Sequence, residues 1–169
     1  AALLNVPLYS FSHQEGHVEA ALHGIAMNVG RFLAVHFSGG TSEILAVEKN
    51  GFRYNIEIIS ATADISAGQL VDRVGVEMGL PFPAGPAMEE LALDSGEGLA
   101  LPASFQGAHF SFSGAETAAR RMLIEGIPPE QVAFMVFRCI ANTLEKGLRY
   151  AAEKTGLRDV VMAGGVMAN

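Results

Sequence analysis

Three strand-length segments follow one another closely, and that spacing leaves few folds open. Phe32–Phe37 is continuously apolar, and Ser42–Lys49 and Phe52–Ile59 come after it with only a few residues between. Antiparallel neighbours can be joined by tight turns, whereas parallel ones need a crossover of a dozen or more residues. The runs therefore predict an antiparallel meander. Ser38-Gly39-Gly40-Thr41 makes its first turn. Asn50-Gly51 makes its second, since both positions tolerate positive φ. Upstream, Pro7–Phe11 reads as a short strand, and Ser12 as the N-cap of a helix from about His13 to Met27. Downstream the apolar period lengthens. Helices are expected over Ser66–Met78, from Ala87, over Gly114–Ile124 and over Pro129–Lys154. The last opens with proline and closes at Gly156, and its stripe of Val132, Val136, Cys139, Ile140, Thr143 and Leu144 faces a core. Ser95–Gly107 is small and glycine-rich and reads as irregular, and a lone strand begins at Val160. Three antiparallel strands, then helices, then one strand predict an α/β unit with a mixed sheet.

Composition narrows the classes. Hydrophobic residues make up 50% of the 169 and charged ones only 17%, which excludes a disordered chain or a coiled coil. The net charge of −7 argues against a broad basic surface, so RNA would need a local patch or a partner protein. A single cysteine, Cys139, excludes an internal disulfide or a multi-cysteine metal site, and on an apolar stripe it reads as a buried thiol. No run approaches the ~18 apolar residues of a spanning helix, so a soluble cytoplasmic protein is expected. Ala1–Asn5 reads as a helix tail and the last residues as a first helical turn, so a fragment is expected.

Several short patterns could carry chemistry. His13 and His17 stand at i and i+4 on one helical face, where two imidazoles can share a zinc or iron ion, or can simply be surface histidines. The H-E-x-x-H protease pattern needs glutamate directly after the first histidine. Glu15 is two residues on, about 200° around the helix from His13. Ser38-Gly39-Gly40-Thr41 can aim backbone N–H groups at an anion, or be a plain hairpin turn. Gly164-Gly165, after a strand and before a helix, has the same two readings. Asp72 beside Arg73 reads alone as a solvated pair, Gly85 as a turn glycine, and Phe110-Ser111-Phe112-Ser113-Gly114 as a strand end and helix cap. His23, His36 and His109 have no partner at an informative spacing.

Taken in order, these segments resemble the middle of the universal tRNA-adenosine threonylcarbamoyltransferases (TsaD or Gcp), formerly called O-sialoglycoprotein endopeptidases or glycoproteases. The family's His-x-x-x-His matches His13 and His17 in a Glu-Gly-His context, and its Ser-Gly-Gly turn matches Ser38-Gly39-Gly40. Its helix aspartate matches Asp72, and Gly-Leu-x-x-Pro-x-Gly-Pro matches Gly79 to Pro86 with Gly85 at the binding glycine. Phe-Ser-Phe-Ser-Gly matches Phe110–Gly114, and Gly-Gly-Val-x-Ala-Asn matches Gly164–Asn169. The chain departs from the pattern in having Thr41 where a histidine is usual, Gln69 where a glutamate is usual, and Ser12-His13 for a doubled histidine.

The resemblance implies an incomplete actin-like ATPase (ASKHA, ribonuclease-H-like) fold. Residues 1–30 would end a first lobe and carry the metal helix, and 31–169 would form much of a second. It implies transfer of a threonylcarbamoyl group from its adenylate to adenosine of tRNA. His13 and His17 would hold a divalent zinc or iron, with a third ligand, an aspartate, beyond Asn169. Ser38, Gly39, Gly40, Asp72, Gly85 and Asn169 would surround an adenine nucleotide. No side chain stands out as an acid or base, so catalysis would rest on positioning and electrostatics. The implied partners are the adenylate substrate, tRNA reached through the full-length protein or partner subunits, and a paralogue or self dimer, with no membrane. The chain alone is expected to be inactive. The departures keep open a non-catalytic nucleotide-binding paralogue that supports a true transferase, and the histories of the names keep open a metalloprotease.

Overall fold

A computed structural model of the chain describes residues 10–23, 30–51, 53–95 and 100–168. In chain order these form α1 (His13–Leu22), β1 (Arg31–Phe37), β2 (Ser42–Asn50), β3 (Arg53–Thr62), α2 (Ala67–Glu77) and α3 (Gly85–Leu93). There follow β4 (Ser104–Gln106), β5 (His109–Ser111), α4 (Ser113–Ile124), α5 (Pro129–Thr155), β6 (Val160–Ala163) and a 3-10 turn at Gly165–Ala168. The strands make one mixed sheet in the order β4-β5-β3-β2-β1-β6. The expected meander is its centre, with β1 antiparallel to β2 and β2 to β3, while β6 joins β1 and β5 joins β3 in parallel.

Alternation along β1 divides the core. Leu33, Val35 and Phe37 face a large cluster shared with the helices α2 to α5. Phe32 and Ala34 face a small cluster with Leu45, Val47, Val161 and Val18 of α1. Both faces are covered, which is why β1 is apolar on both from Phe32 to Phe37, His36 excepted. On the large side Phe37, Phe110 and Phe112 meet with ring centroids 5.3 and 6.3 Å apart. Each ring is fully buried and contributes about 1.5–3 kcal/mol. Every residue of the predicted α5 stripe is buried, and Gly156 caps the helix at φ 75°. Among the described residues, no helix is long and apolar enough to cross a membrane.

Some sequence expectations need correction. The region expected to be irregular contains β4, paired with β5 across Gly107-Ala108 at φ 54° and 77°. Both turn residues are left-handed, as a primed hairpin turn requires, but alanine there hides the signal. The second meander turn is displaced by one residue: Asn50 still pairs with Arg53, and Gly51 alone of the expected pair has positive φ. The acidic helix begins at Gly85 rather than Ala87, because Pro86 suits a first helical turn. The closing turn is 3-10 rather than α-helical. The first helix ends at Leu22, with His23 as an extended C-cap, rather than running to Met27. Asn169, most of Pro7–Phe11 and residues 24–29 lie outside the described residues.

Candidate functional site

Ser38-Gly39-Gly40-Thr41 closes on itself: Ser38 N–H donates to the Thr41 carbonyl at 2.8 Å, and Thr41 N–H donates to Ser38 Oγ at 3.2 Å. The turn is pinned to the start of α2. Ser66 Oγ donates to the Gly39 carbonyl at 2.7 Å, and Ala67 N–H donates to the buried Ser42 Oγ at 2.9 Å. Ser66 and Gln69 form a reciprocal capping box, with Gln69 N–H on Ser66 Oγ and Gln69 Oε1 accepting from Ser66 N–H. Gln69 thus supplies the cap that a glutamate would supply, without its charge. Gly68 permits the contact, since a Cβ there would lie 2.5 Å from the Ser38 carbonyl oxygen and 2.6 Å from Gly39 Cα.

Beside this junction lies a cavity of about 280 Å³, lined in part by Gly39, Gly68, Asp72, Gly85, Phe137 and Gly165. Val71, Pro83, Pro86 and Val166 complete its apolar walls. Five segments converge here: the first turn, α2, the 83–86 stretch at the start of α3, α5 through Phe137, and the glycine turn after β6. Asp72 does not pair with Arg73. Its Oδ1 accepts the Ala84 N–H at 2.8 Å, fixing the 81–86 loop, while Arg73 pairs with Glu116 of α4 at 3.1 Å. Of the predicted nucleotide residues, Gly39, Asp72 and Gly85 meet in this cavity. Ser38 shapes the turn through its hydroxyl. Gly40 does not line the cavity, and a Cβ on it would meet nothing within 4 Å. Gly164, at φ 100°, lets the last turn pack on the Phe37 backbone at the end of β1.

On the opposite face of β1 lies a histidine cluster. Ser12 and Glu15 form a second capping box, in which Glu15 takes the Ser12 N–H at 2.5 Å. That explains where Glu15 points, away from the imidazoles. His13 and His17 bring their Nε2 atoms to 3.0 Å of each other. His36, given no role by its sequence spacing, comes up from β1 with its ring centroid 4.0 Å from that of His17 and 6.0 Å from that of His13. It is 2% exposed, and neither ring nitrogen has a hydrogen-bond partner. Burial, reinforced by His17 and His13, pulls its pKa down to about 4. Glu43, its cross-strand partner, also has a buried oxygen without a partner, and burial raises its carboxyl against the pull of His13. His13 and His17 offer two imidazole donors of the kind that zinc or iron takes. Among the described residues, no group of three or more His, Cys, Asp or Glu is placed to hold a metal ion.

The Phe110–Gly114 segment has a structural role. Phe110 and Phe112 fill the core, while Asp64 accepts from Ser111 Oγ at 2.7 Å, Ser113 Oγ at 2.6 Å and Phe112 N–H at 2.9 Å. Burial pushes the Asp64 carboxyl up, but these bonds outweigh it and hold its pKa near about 2.

A central antiparallel meander with parallel flanking strands, α2 to α5 on one face and α1 on the other, and a cavity where glycine turns meet a helix N-terminus give the chain an incomplete actin-like fold. Its fold is similar to that of HypF from T. kodakarensis, with a TM-score of 0.77 at 14% identity over 99% of this chain and 32% of that one. It is also similar to the activator of the 2-hydroxyisocaproyl-CoA dehydratase from Clostridium difficile, with a TM-score of 0.58 at 17% identity over 92% of this chain and 53% of that one. The chain belongs to the TsaD family, tRNA N6-adenosine threonylcarbamoyltransferase, whose model matches residues 1–169. It is 36% identical to the transferase of Thermus thermophilus and 34% to that of Archaeoglobus fulgidus, in each case over 100% of this chain. A probable bifunctional tRNA threonylcarbamoyladenosine biosynthesis protein of Thermoplasma volcanium is 35% identical, with 31% of its length covered. The chain spans about half the length of the two transferases, 52% and 50%.

Proposed function

We propose that this chain is the nucleotide-holding part of a tRNA threonylcarbamoyltransferase that moves a threonylcarbamoyl group from its adenylate to the amine of a tRNA adenosine. The observation that carries this reading is the convergence of Gly39, Asp72, Gly85 and Gly165 on one cavity. Glycine backbones let a phosphate approach closely, and the N-terminus of α2 favours an anion there. Val71, Pro83, Phe137 and Val166 suit the faces of an adenine. One Asp72 oxygen holds Ala84, and the other can accept from a ribose hydroxyl. His13 and His17 would hold a divalent ion, which supplies Lewis-acid polarisation of substrate oxygens. In this reading residues 1–30 close a first lobe and 31–169 form most of a second. The acidic chain would meet tRNA through the rest of the full-length protein or through partner subunits, among them a paralogue or a second copy.

Gln69 favours a second reading, a nucleotide-binding paralogue that supports a true transferase, because a neutral side chain replaces a charged one beside the cavity. The protease reading is disfavoured by Glu15, whose carboxylate is committed to the Ser12 cap.

Calorimetric titration with AMP and ATP tests the proposal. Binding should be saturable and weaker than about 1 µM, since the cleft of this fold lies between two lobes. Asp72→Ala should weaken it roughly tenfold or more, because a bond to a charged acceptor contributes about 1.5–3 kcal/mol. Arg73→Ala should leave it unchanged. No saturable binding, or equal binding by Asp72→Ala, would refute the assignment.

A further inference from the structure

We infer that Phe82 is the platform on which the acceptor adenosine of tRNA stacks at the edge of the nucleotide cavity. The inference rests on the transferase reading and adds a residue for the second substrate, for which the cavity itself holds none. Phe82 is a large apolar side chain, yet it is 75% exposed. Single exposed apolar residues are ordinary on protein surfaces, so exposure alone decides nothing. Its place in the fold does. The next residue, Pro83, lines the cavity, and so do Gly85 and Pro86 further along the same loop. Among the described residues, the other exposed phenylalanine is Phe11, which leads into α1 on the opposite face of the sheet.

The loop holds this ring firmly. Pro81 and Pro83 flank it with fixed φ, and a residue before proline is confined to extended conformations. The loop is tied to α2 on both sides of Phe82: Leu80 N–H donates to the Gly75 carbonyl at 3.0 Å, and Ala84 N–H to Asp72 Oδ1 at 2.8 Å. Ala84 is fully buried and lies so close to α2 that a Cβ on Gly75 would stand 2.4 Å from its own. A side chain ordered in advance loses little freedom when it binds. Unpaired RNA bases are recognised by stacking on aromatic side chains, a contribution that does not depend on the phosphates. That mode suits a chain of net charge −7, whose surface repels a phosphate backbone more than it grips one.

The chain has no tryptophan, so Phe82→Trp places a single indole at this position and its emission reports nothing else. With AMP filling the cavity, a single-stranded RNA heptamer carrying one adenosine among uridines should quench that emission saturably. An all-uridine heptamer should need a higher concentration, since the smaller base stacks less well. By fluorescence anisotropy of the labelled adenosine heptamer, Phe82→Ala should bind at least about fivefold more weakly than wild type. Phe82→Tyr, which keeps the ring, should bind as wild type does. Calorimetric affinity for AMP should be the same in all of them, because Phe82 is not among the residues lining the cavity. If AMP binds but the heptamer leaves the indole emission unchanged, or Phe82→Ala holds the RNA as tightly as wild type, this inference is overturned and the nucleotide assignment stands. It is overturned equally if Phe82→Ala weakens AMP as much as RNA, since the ring then serves the nucleotide. No saturable binding of AMP would remove the transferase reading and this inference with it.

Discussion

Replacing Gly68 by alanine should destabilise the chain and loosen the cavity together. The new Cβ would stand 2.5 Å from the Ser38 carbonyl oxygen, 2.6 Å from Gly39 Cα and 2.9 Å from Gly39 N, all backbone atoms that no rotamer change can move aside. A carbon–oxygen contact is comfortable at about 3.3–3.6 Å, so α2 and the turn must part by roughly 0.8–1.1 Å. That displacement carries the Ser66–Gly39 bond from 2.7 Å and the Ala67–Ser42 bond from 2.9 Å out of hydrogen-bonding range. Overpacking costs about 1–3 kcal/mol and each lost bond about 1 kcal/mol. Alanine returns about 1 kcal/mol of helix propensity, leaving a net loss of about 2–4 kcal/mol. For a domain of this size the thermal midpoint should fall by about 4–16 °C. The control is Gly16→Ala in α1, an exposed helical glycine whose Cβ would meet nothing within 4 Å. There propensity acts alone, and the midpoint should rise by about 1–4 °C. Thermal melts of both variants by circular dichroism decide the matter. A Gly68→Ala midpoint at or above wild type would refute the close approach of α2 to the turn, and with it the cavity's geometry.

Two further outcomes follow from the described contacts. Asp64 has a folded pKa of about 2 against an ordinary 3.8, so its contribution is present above pH ~3.8 and is lost as pH falls toward 2. Melts across that window should show a shallower decline for Asp64→Asn than for wild type, and parallel curves would contradict the assigned bonds to Ser111, Phe112 and Ser113. Cys139 is buried, its thiol donates to the Pro102 carbonyl at 3.4 Å, and burial pushes its pKa up. Ellman's reagent should therefore leave the native chain unmodified and titrate one thiol in guanidinium, whereas rapid native reaction would place Cys139 elsewhere.

How far the sequence discloses the fold depends on the range of the interaction involved. The α5 stripe and the meander are local patterns, and period and turn chemistry place both, the second meander turn to within one residue. The β4–β5 hairpin escapes notice because its strands are three residues long and alanine occupies a left-handed position. Within the site, Gly39, Asp72 and Gly85 are legible as motif residues. The wall made by Phe137 is not, because an aromatic residue on a long helix reads as core until the neighbouring turns are in place. His36 is the clearest loss. Strand alternation assigns it to a face, but nothing local says that α1 will bring His13 and His17 onto that same face.

The parallel pairing of β1 with β6 has a consequence for synthesis. Leu33 is soon matched by β2 on one side once it has emerged from the ribosome, yet its other neighbour, Val160, lies far downstream in the chain. Until that strand appears, one edge of β1, six of whose seven residues are buried, stays open to pairing with any other chain. The helices that cover its large face also come in between, so burial of that face and closure of that edge both wait on residues made well after β1. A nascent chain stalled before β6 would thus be more aggregation-prone than one that has made it, and a holdase bound near β1 would protect it.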